Sequence, residues 1–178
     1  MPTAVTLDLD DAGASRIEPL WDALERDATL PTTRRLGVRP HLSLAVYDAL
    51  APRRLPARLD AFARALSPLA IGFANIGIFV NGAAATIFLG PVADRALLAL
   101  HDAFHSAFAD CLEGCIAHYR PGCWVPHLTL AQDVDLAVLP AAVANLAGAL
   151  RPAAGRLDVL SVVRYLPVEL LGRYTLDG

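Results

Sequence analysis

Two histidines occur in the same five-residue setting. Pro40-His41-Leu42-Ser43-Leu44 and Pro126-His127-Leu128-Thr129-Leu130 both read Pro, His, apolar, hydroxyl, apolar. Alternate side chains of an extended strand share a face. The pattern therefore sets His41 beside Ser43 and His127 beside Thr129, and turns the four leucines to the opposite, core-forming face. An imidazole titrates near pH 6.5, so one of a pair can take a proton while the other delivers one. The hydroxyl next to each can donate a hydrogen bond to an anionic oxygen. Two such units suit a cyclic phosphodiester, whose opening needs an activated water, a protonated leaving oxygen and donors on the non-bridging oxygens. One copy alone would say little, because a strand histidine commonly just bonds a backbone carbonyl. The repetition carries the reading.

The elements that must position these residues follow from periodicity. Val5, Leu7 and Leu9 alternate in Thr3 to Leu9 and predict a first strand. Ser15, with Glu18 three residues later, reads as a capping box that opens a helix to about Asp27. A loop from Thr29 to Arg39 leads into the first motif, and its Arg34, Arg35 and Arg39 are candidate phosphate contacts. The motif strand runs from His41 to Tyr47. Parity puts Tyr47 on the face of His41 and Ser43, where it could stack on a base or sugar. A turn at Pro52 to Pro56 and a helix from Ala57 to Leu66 come next. Asn81-Gly82 between two apolar runs is a strong hairpin signal. Asp94 can cap a long helical pattern reaching Asp110. The second motif strand spans His127 to Gln132, a helix Val134 to Leu150, and two closing strands 156–166 and 168–176. The order β-α-β-α-β-β-α-β-α-β-β reads as two similar halves that bring the two histidines to opposite walls of one groove.

Composition narrows the function classes. With 178 residues, 55% hydrophobic and 19% charged, residues 1–178 are expected to form a single compact domain of two similar lobes. No apolar run reaches the length of a membrane span, and Met1 to Asp10 lacks the basic start of a signal peptide, so a cytoplasmic location is expected. A net charge of −3 argues against a duplex-binding face. All 15 basic residues are arginine, which excludes a lysine nucleophile and makes any cationic phosphate contact a guanidinium. Cys111, Cys115 and Cys123 read as reduced thiols. With His118 they are an alternative zinc set, but the spacing lacks the paired Cys-x2-Cys knuckles of common structural sites. His101 and His105, four apart, read as a solvated helix face. No carboxylate cluster accompanies the motifs, so neither a metal nor another cofactor is expected.

At the two motifs the chain resembles the 2H phosphoesterase superfamily, also called the LigT-like or 2′-5′ RNA ligase-like family, whose hallmark is a pair of His-x-Thr/Ser-x motifs with x apolar. The run from Trp124 to Ala131 is close to the family's usual wording. The resemblance implies an α+β fold of two pseudo-two-fold lobes, with two antiparallel sheets around a central cleft and helices outside. It implies catalysis by His41 and His127 and phosphate binding by Ser43 and Thr129. The activity implied is opening of 2′,3′-cyclic or related cyclic phosphates of nucleotides or RNA ends, and some members join or cleave 2′-5′ linkages. Ser43 stands where threonine is commoner. Gln132 stands where some RNA-acting members carry arginine, which favours a small cyclic phosphate over a long RNA. The expected partner is a small cyclic-phosphate nucleotide or RNA end, bound by a monomer, with no membrane and no duplex DNA. A module that holds a nucleotide or RNA end without turning it over is the alternative from another class.

Overall fold

The structure is a computed structural model that describes residues 1–26, 30–48, 55–165 and 167–178. Among these residues seven strands and four α-helices alternate as β1 (Thr3–Leu9), α1 (Asp11–Glu25), β2 (His41–Tyr47), α2 (Leu55–Arg64), β3 (Leu69–Asn81), β4 (Ala84–Pro91), α3 (Arg95–Ala107), β5 (Leu128–Asp135), α4 (Leu139–Ala149), β6 (Ala153–Arg164) and β7 (Glu169–Thr175). The order is the expected α+β order. The expected turn before α2 falls partly outside the described residues.

All strand pairs are antiparallel, and they run β2-β1-β6-β3-β4-β5, with β7 also on β6. This corrects the expectation of two separate sheets. The reason is the length of β3. Its first residues, Leu69 to Phe73, pair with β6, and Phe73 to Asn81 pair with β4, so one strand belongs to both halves and hydrogen bonding never breaks. β2 and β5 are the two ends of this path, yet they touch. The sheet therefore bends round until its end strands meet.

Leu42, Leu44, Leu128 and Leu130 are all 0% exposed, as the alternation of the motifs requires. They join Leu7, Ile17, Ile87, Phe104 and Leu157 in one core. Gly82 takes a positive φ of 62° in the turn of the β3–β4 hairpin, where a backbone without Cβ is favoured.

Most element boundaries shift by a few residues from expectation, and two of the shifts have a visible cause. Helix α1 is capped by Asp10, whose side chain accepts from the Gly13 amide at 2.8 Å. Ser15 lies inside the helix and donates to the Asp11 carbonyl at 2.8 Å, so it forms no capping box. Asp10 prevails because its Oδ1 also accepts the Arg156 amide at 3.1 Å, which ties the helix start to β6. Val134, expected in a helix, lies in β5 and is 0% exposed. Its pairing with Ala85 holds it in the sheet, and α4 starts only at Leu139.

The α1–β6 contact is a close backbone approach. A Cβ on Gly155 would lie 2.8 Å from the Gly13 Cα, with no flexible side chain to give way. Gly155→Ala is expected to cost about 1–3 kcal/mol by overpacking, read as a lower urea midpoint at unchanged m-value.

Candidate active site

The two histidines are held in the same way. His41 Nδ1 lies 2.7 Å from the Arg39 carbonyl, and His127 Nδ1 lies 2.7 Å from the Val125 carbonyl. A carbonyl can only accept, so each Nδ1 carries the proton and each Nε2 is left with its lone pair. In both copies a proline, Pro40 or Pro126, stands between the imidazole and the carbonyl it bonds, and its fixed φ holds that short loop of chain. The recurring proline thus sets a tautomer, twice.

The surroundings differ. On the first motif, His41 pairs across the ladder with Asp8, and Ser43 with Thr6. Thr6 pairs in turn with Ser161 of β6. Asp8 is 6% exposed; it accepts from the Thr6 hydroxyl at 3.0 Å and the Ser161 hydroxyl at 2.7 Å. The Tyr165 phenol lies 3.4 Å from His41 Nε2. Burial and the neighbouring Tyr119 push its pKa up to about 12, against a hydrogen bond from Ser43. On the second motif, Thr129 pairs with Phe88. Phe88 stacks on Phe79 at 4.3 Å, and the His127 ring stands edge-on to Phe79 at 5.0 Å and tilted to Phe88 at 5.4 Å. Gly77 makes room for this, since a Cβ there would meet the Phe88 ring. Burial holds His127 below the ordinary histidine range, and the charge of His41 pushes the same way.

The end strands are locked together by each other's approach segments. The chain leading to the second motif closes the outer edge of β2: Ile116 N–H donates to the Val46 carbonyl at 2.8 Å, and Trp124 Nε1–H to the Ser43 carbonyl at 3.0 Å. The chain leading to the first motif closes the outer edge of β5: Thr33 Oγ1 donates to the Thr129 carbonyl at 2.9 Å, and Gln132 N–H to the Pro31 carbonyl at 3.2 Å.

Several expected roles change. Tyr47 is 2% exposed and turned into the core. A bulge opposite Val5 and Thr6 leaves Leu44 unpaired in the register, and the extra residue flips the parity beyond it, so Tyr47 joins Leu42 and Leu44 and not His41. Arg39 Nη2 donates to the Leu9 carbonyl at 2.9 Å and Asp11 at 2.8 Å. Its guanidinium serves the β1–α1 corner, while its carbonyl orients His41. Arg34 stands over Trp21 and pairs with Glu18, Asp22 and Glu25, so it braces α1. His101 and His105 are 2% and 3% exposed, not solvated. His101 stacks on Trp124 at 4.0 Å and donates from Nε2 to the Tyr119 carbonyl at 3.0 Å, and His105 Nε2 donates to the Leu44 carbonyl at 3.3 Å. The bulge frees that carbonyl. Burial lowers the pKa of both. Cys115 is buried, Cys123 and His118 are exposed, and among the described residues no three His, Cys, Asp or Glu side chains gather as a metal site.

Asp8, Tyr119, Phe79 and Phe88 join the site without being singled out by the sequence. A signal exists for Asp8, because Thr6 and Asp8 alternate with Val5, Leu7 and Leu9. Nothing in the local pattern marks the others.

With this geometry in view, a model of the 2′-5′ RNA ligase superfamily matches residues 9–169. The chain belongs to this superfamily. The resemblance to the 2H phosphoesterases therefore holds. Solved structures share the family fold over nearly their whole length. TT0787 of Thermus thermophilus is 17% identical, with TM-score 0.63, covering 100% of this chain and 99% of that one. E. coli LigT complexed with 3′-AMP is 15% identical, with TM-score 0.63, covering 99% and 97%. E. coli LigT complexed with NADP+ is 17% identical, with TM-score 0.62 and full coverage of both chains. No curated protein matches this family member in sequence. Among its described residues no helix is long and apolar enough to cross a membrane.

His101, His105 and His127 are all held below the ordinary histidine range in the folded state. The unfolded chain then binds more protons once the pH falls through about 6.5. Stability is full above that value and is lost as the medium becomes more acidic. The Tm is expected to fall between pH 7 and pH 5 in a calorimetric series; a Tm that rises on acidification would contradict this.

Proposed function

We propose that this chain is a metal-independent phosphodiesterase that opens a 2′,3′-cyclic, or related cyclic, phosphate of a nucleotide or RNA end by two-histidine acid–base catalysis. One observation carries the reading: the same Nδ1-to-carbonyl hydrogen bond at both motifs, which leaves two Nε2 atoms available for proton transfer. We read residues 1–178 as one such domain, acting as a monomer in the cytoplasm.

Water attacks phosphorus and loses a proton to the Nε2 of one neutral histidine. The bond from phosphorus to the 2′ or 3′ oxygen breaks, and the other histidine, as imidazolium, delivers its Nε2 proton to that oxygen. The product is a phosphomonoester. Ser43 and Thr129 donate to the non-bridging oxygens, which gain charge in the transition state. His127 takes the role of base, because burial beside Phe79 and Phe88 holds it in the unprotonated form at neutral pH. His41 then supplies the proton, from a wall of hydroxyls and a buried carboxylate. The LigT structures with 3′-AMP, NADP+ and ATP support a ligand of nucleotide size. The acidic net charge and Gln132 after the second motif favour a small cyclic phosphate over a long RNA.

The test is hydrolysis of the four nucleoside 2′,3′-cyclic monophosphates with EDTA present. Wild type is expected to turn over and the His41→Ala/His127→Ala double variant not to. Each single histidine variant should lose at least about 10²–10⁴-fold in kcat, and Ser43→Ala or Thr129→Ala less. Turnover abolished by the chelator would overturn the reaction class. Binding without turnover would favour a nucleotide-holding module, and action on 2′-5′ linkages alone would favour the ligase-type reading.

In the pH profile of kcat/KM, the acidic limb reports the base. It is expected below about pH 6.5, the ordinary histidine value, because the His127 pKa is depressed. A limb above that value would reverse the two roles.

A further inference from the structure

Tyr165 follows directly on β6, and its amide donates to the Pro2 carbonyl at 3.0 Å, which fixes the backbone at that point. Its phenol oxygen stands 3.4 Å from His41 Nε2, with the Ser43 side chain close by. His41 Nδ1–H is committed to the Arg39 carbonyl, so Nε2 is the acceptor and the phenol the donor. The phenol oxygen therefore occupies the point that both groups of the first motif address. A substrate oxygen held by that motif has to arrive at the same place. The second motif is lined differently: Phe79 and Phe88 offer no donor, and the Tyr119 ring is centred 6.2 Å from the His127 ring.

We propose that the Tyr165 phenol is a third phosphate donor of this site, parked on His41 Nε2 at rest and re-aimed to a non-bridging phosphate oxygen when substrate binds. A phosphate oxyanion is a stronger acceptor than a neutral imidazole, so the O–H turns toward it. The same movement frees His41 Nε2 for proton transfer. A phenol that stays protonated far above neutral pH remains a donor wherever the two histidines work. The inference rests on the reading of the motifs as a phosphate site, but it does not depend on which phosphate ester is turned over.

The experiment is a titration with inorganic phosphate, followed by the imidazole Cε1–H signals of His41 and His127 in wild type, Tyr165→Phe and Ser43→Ala. Turnover of 2′,3′-cyclic AMP is measured alongside. Tyr165→Phe keeps the ring and should keep the Tm within a few degrees. It is expected to bind phosphate about tenfold or more weakly, the size of a lost hydrogen bond to a charged group. Without phosphate, and at a pH where both imidazoles are neutral, the His41 Cε1–H signal should move and the His127 signal should stay; a general loosening of the fold would move both. Wild-type affinity in Tyr165→Phe would overturn the inference. Tighter binding would also overturn it, and would make the phenol a plug in the site. A wild type whose histidine signals ignore phosphate would overturn it together with the phosphate site. Weaker phosphate binding in the variant without cyclic-phosphate turnover in wild type would support Tyr165 as a donor and count against the proposed reaction alone.

Discussion

The candidate site depends on the two end strands of one sheet being held close together. β2 and β5 are separated by four strands in the hydrogen-bonded path, and they share no ladder. What joins them is an exchange: the segment before each motif closes the free edge of the other motif's strand. Trp124 bonds the Ser43 carbonyl, and Thr33 bonds the Thr129 carbonyl. Exposed strand edges are a liability for any sheet, and here each edge is covered by the segment that leads to the other motif. The same contacts fix the spacing of the hydroxyl-bearing residues, since Ser43 and Thr129 are the residues whose carbonyls are bonded. Beneath them His101 stacks on Trp124 and anchors the Tyr119 carbonyl, which links α3 to the exchange.

Within that symmetric frame the chemistry is asymmetric. Matching imidazoles, prolines and hydroxyls stand on, or directly before, β2 and β5, but their neighbours come from strands that do not match. β1 and β6 give Thr6, Asp8 and Ser161, a buried polar set. β3 and β4 give Phe79 and Phe88. Burial against the apolar wall lowers the pKa of His127, and surroundings that push the pKa values of two like groups apart are a way to assign them different proton-transfer roles.

Much of this is legible in the sequence where the pattern is local. β1 and β2 have the expected bounds, Asp94 caps α3 through the Leu97 amide at 2.8 Å, and the four motif leucines are buried, because alternation and capping act over a few residues. Tyr47 departs from its expected face because a single bulged residue reverses every face beyond it, and a bulge leaves no mark in composition. His101 and His105 depart from theirs because helical spacing says which residues share a face but not what covers that face; the covering segment, 115–124, is irregular. One sheet stands where two are expected because nothing in the run from Leu69 to Asn81 says that one strand changes partners halfway. Phe79 and Phe88 enter the site through pairing between strands, which only the register decides.

The pairing order also sets when the site can come into being. β1 is made first, and one of its two neighbours, β6, is among the last strands made. Asp8 stays without the Ser161 hydroxyl, and β2 without its covering segment, until the second half of the chain has been synthesised. Such contacts, far apart in sequence, slow folding. The two histidines can therefore be brought together only once β5 has been made, and the Asp8 carboxylate can meet the Ser161 hydroxyl only once β6 has.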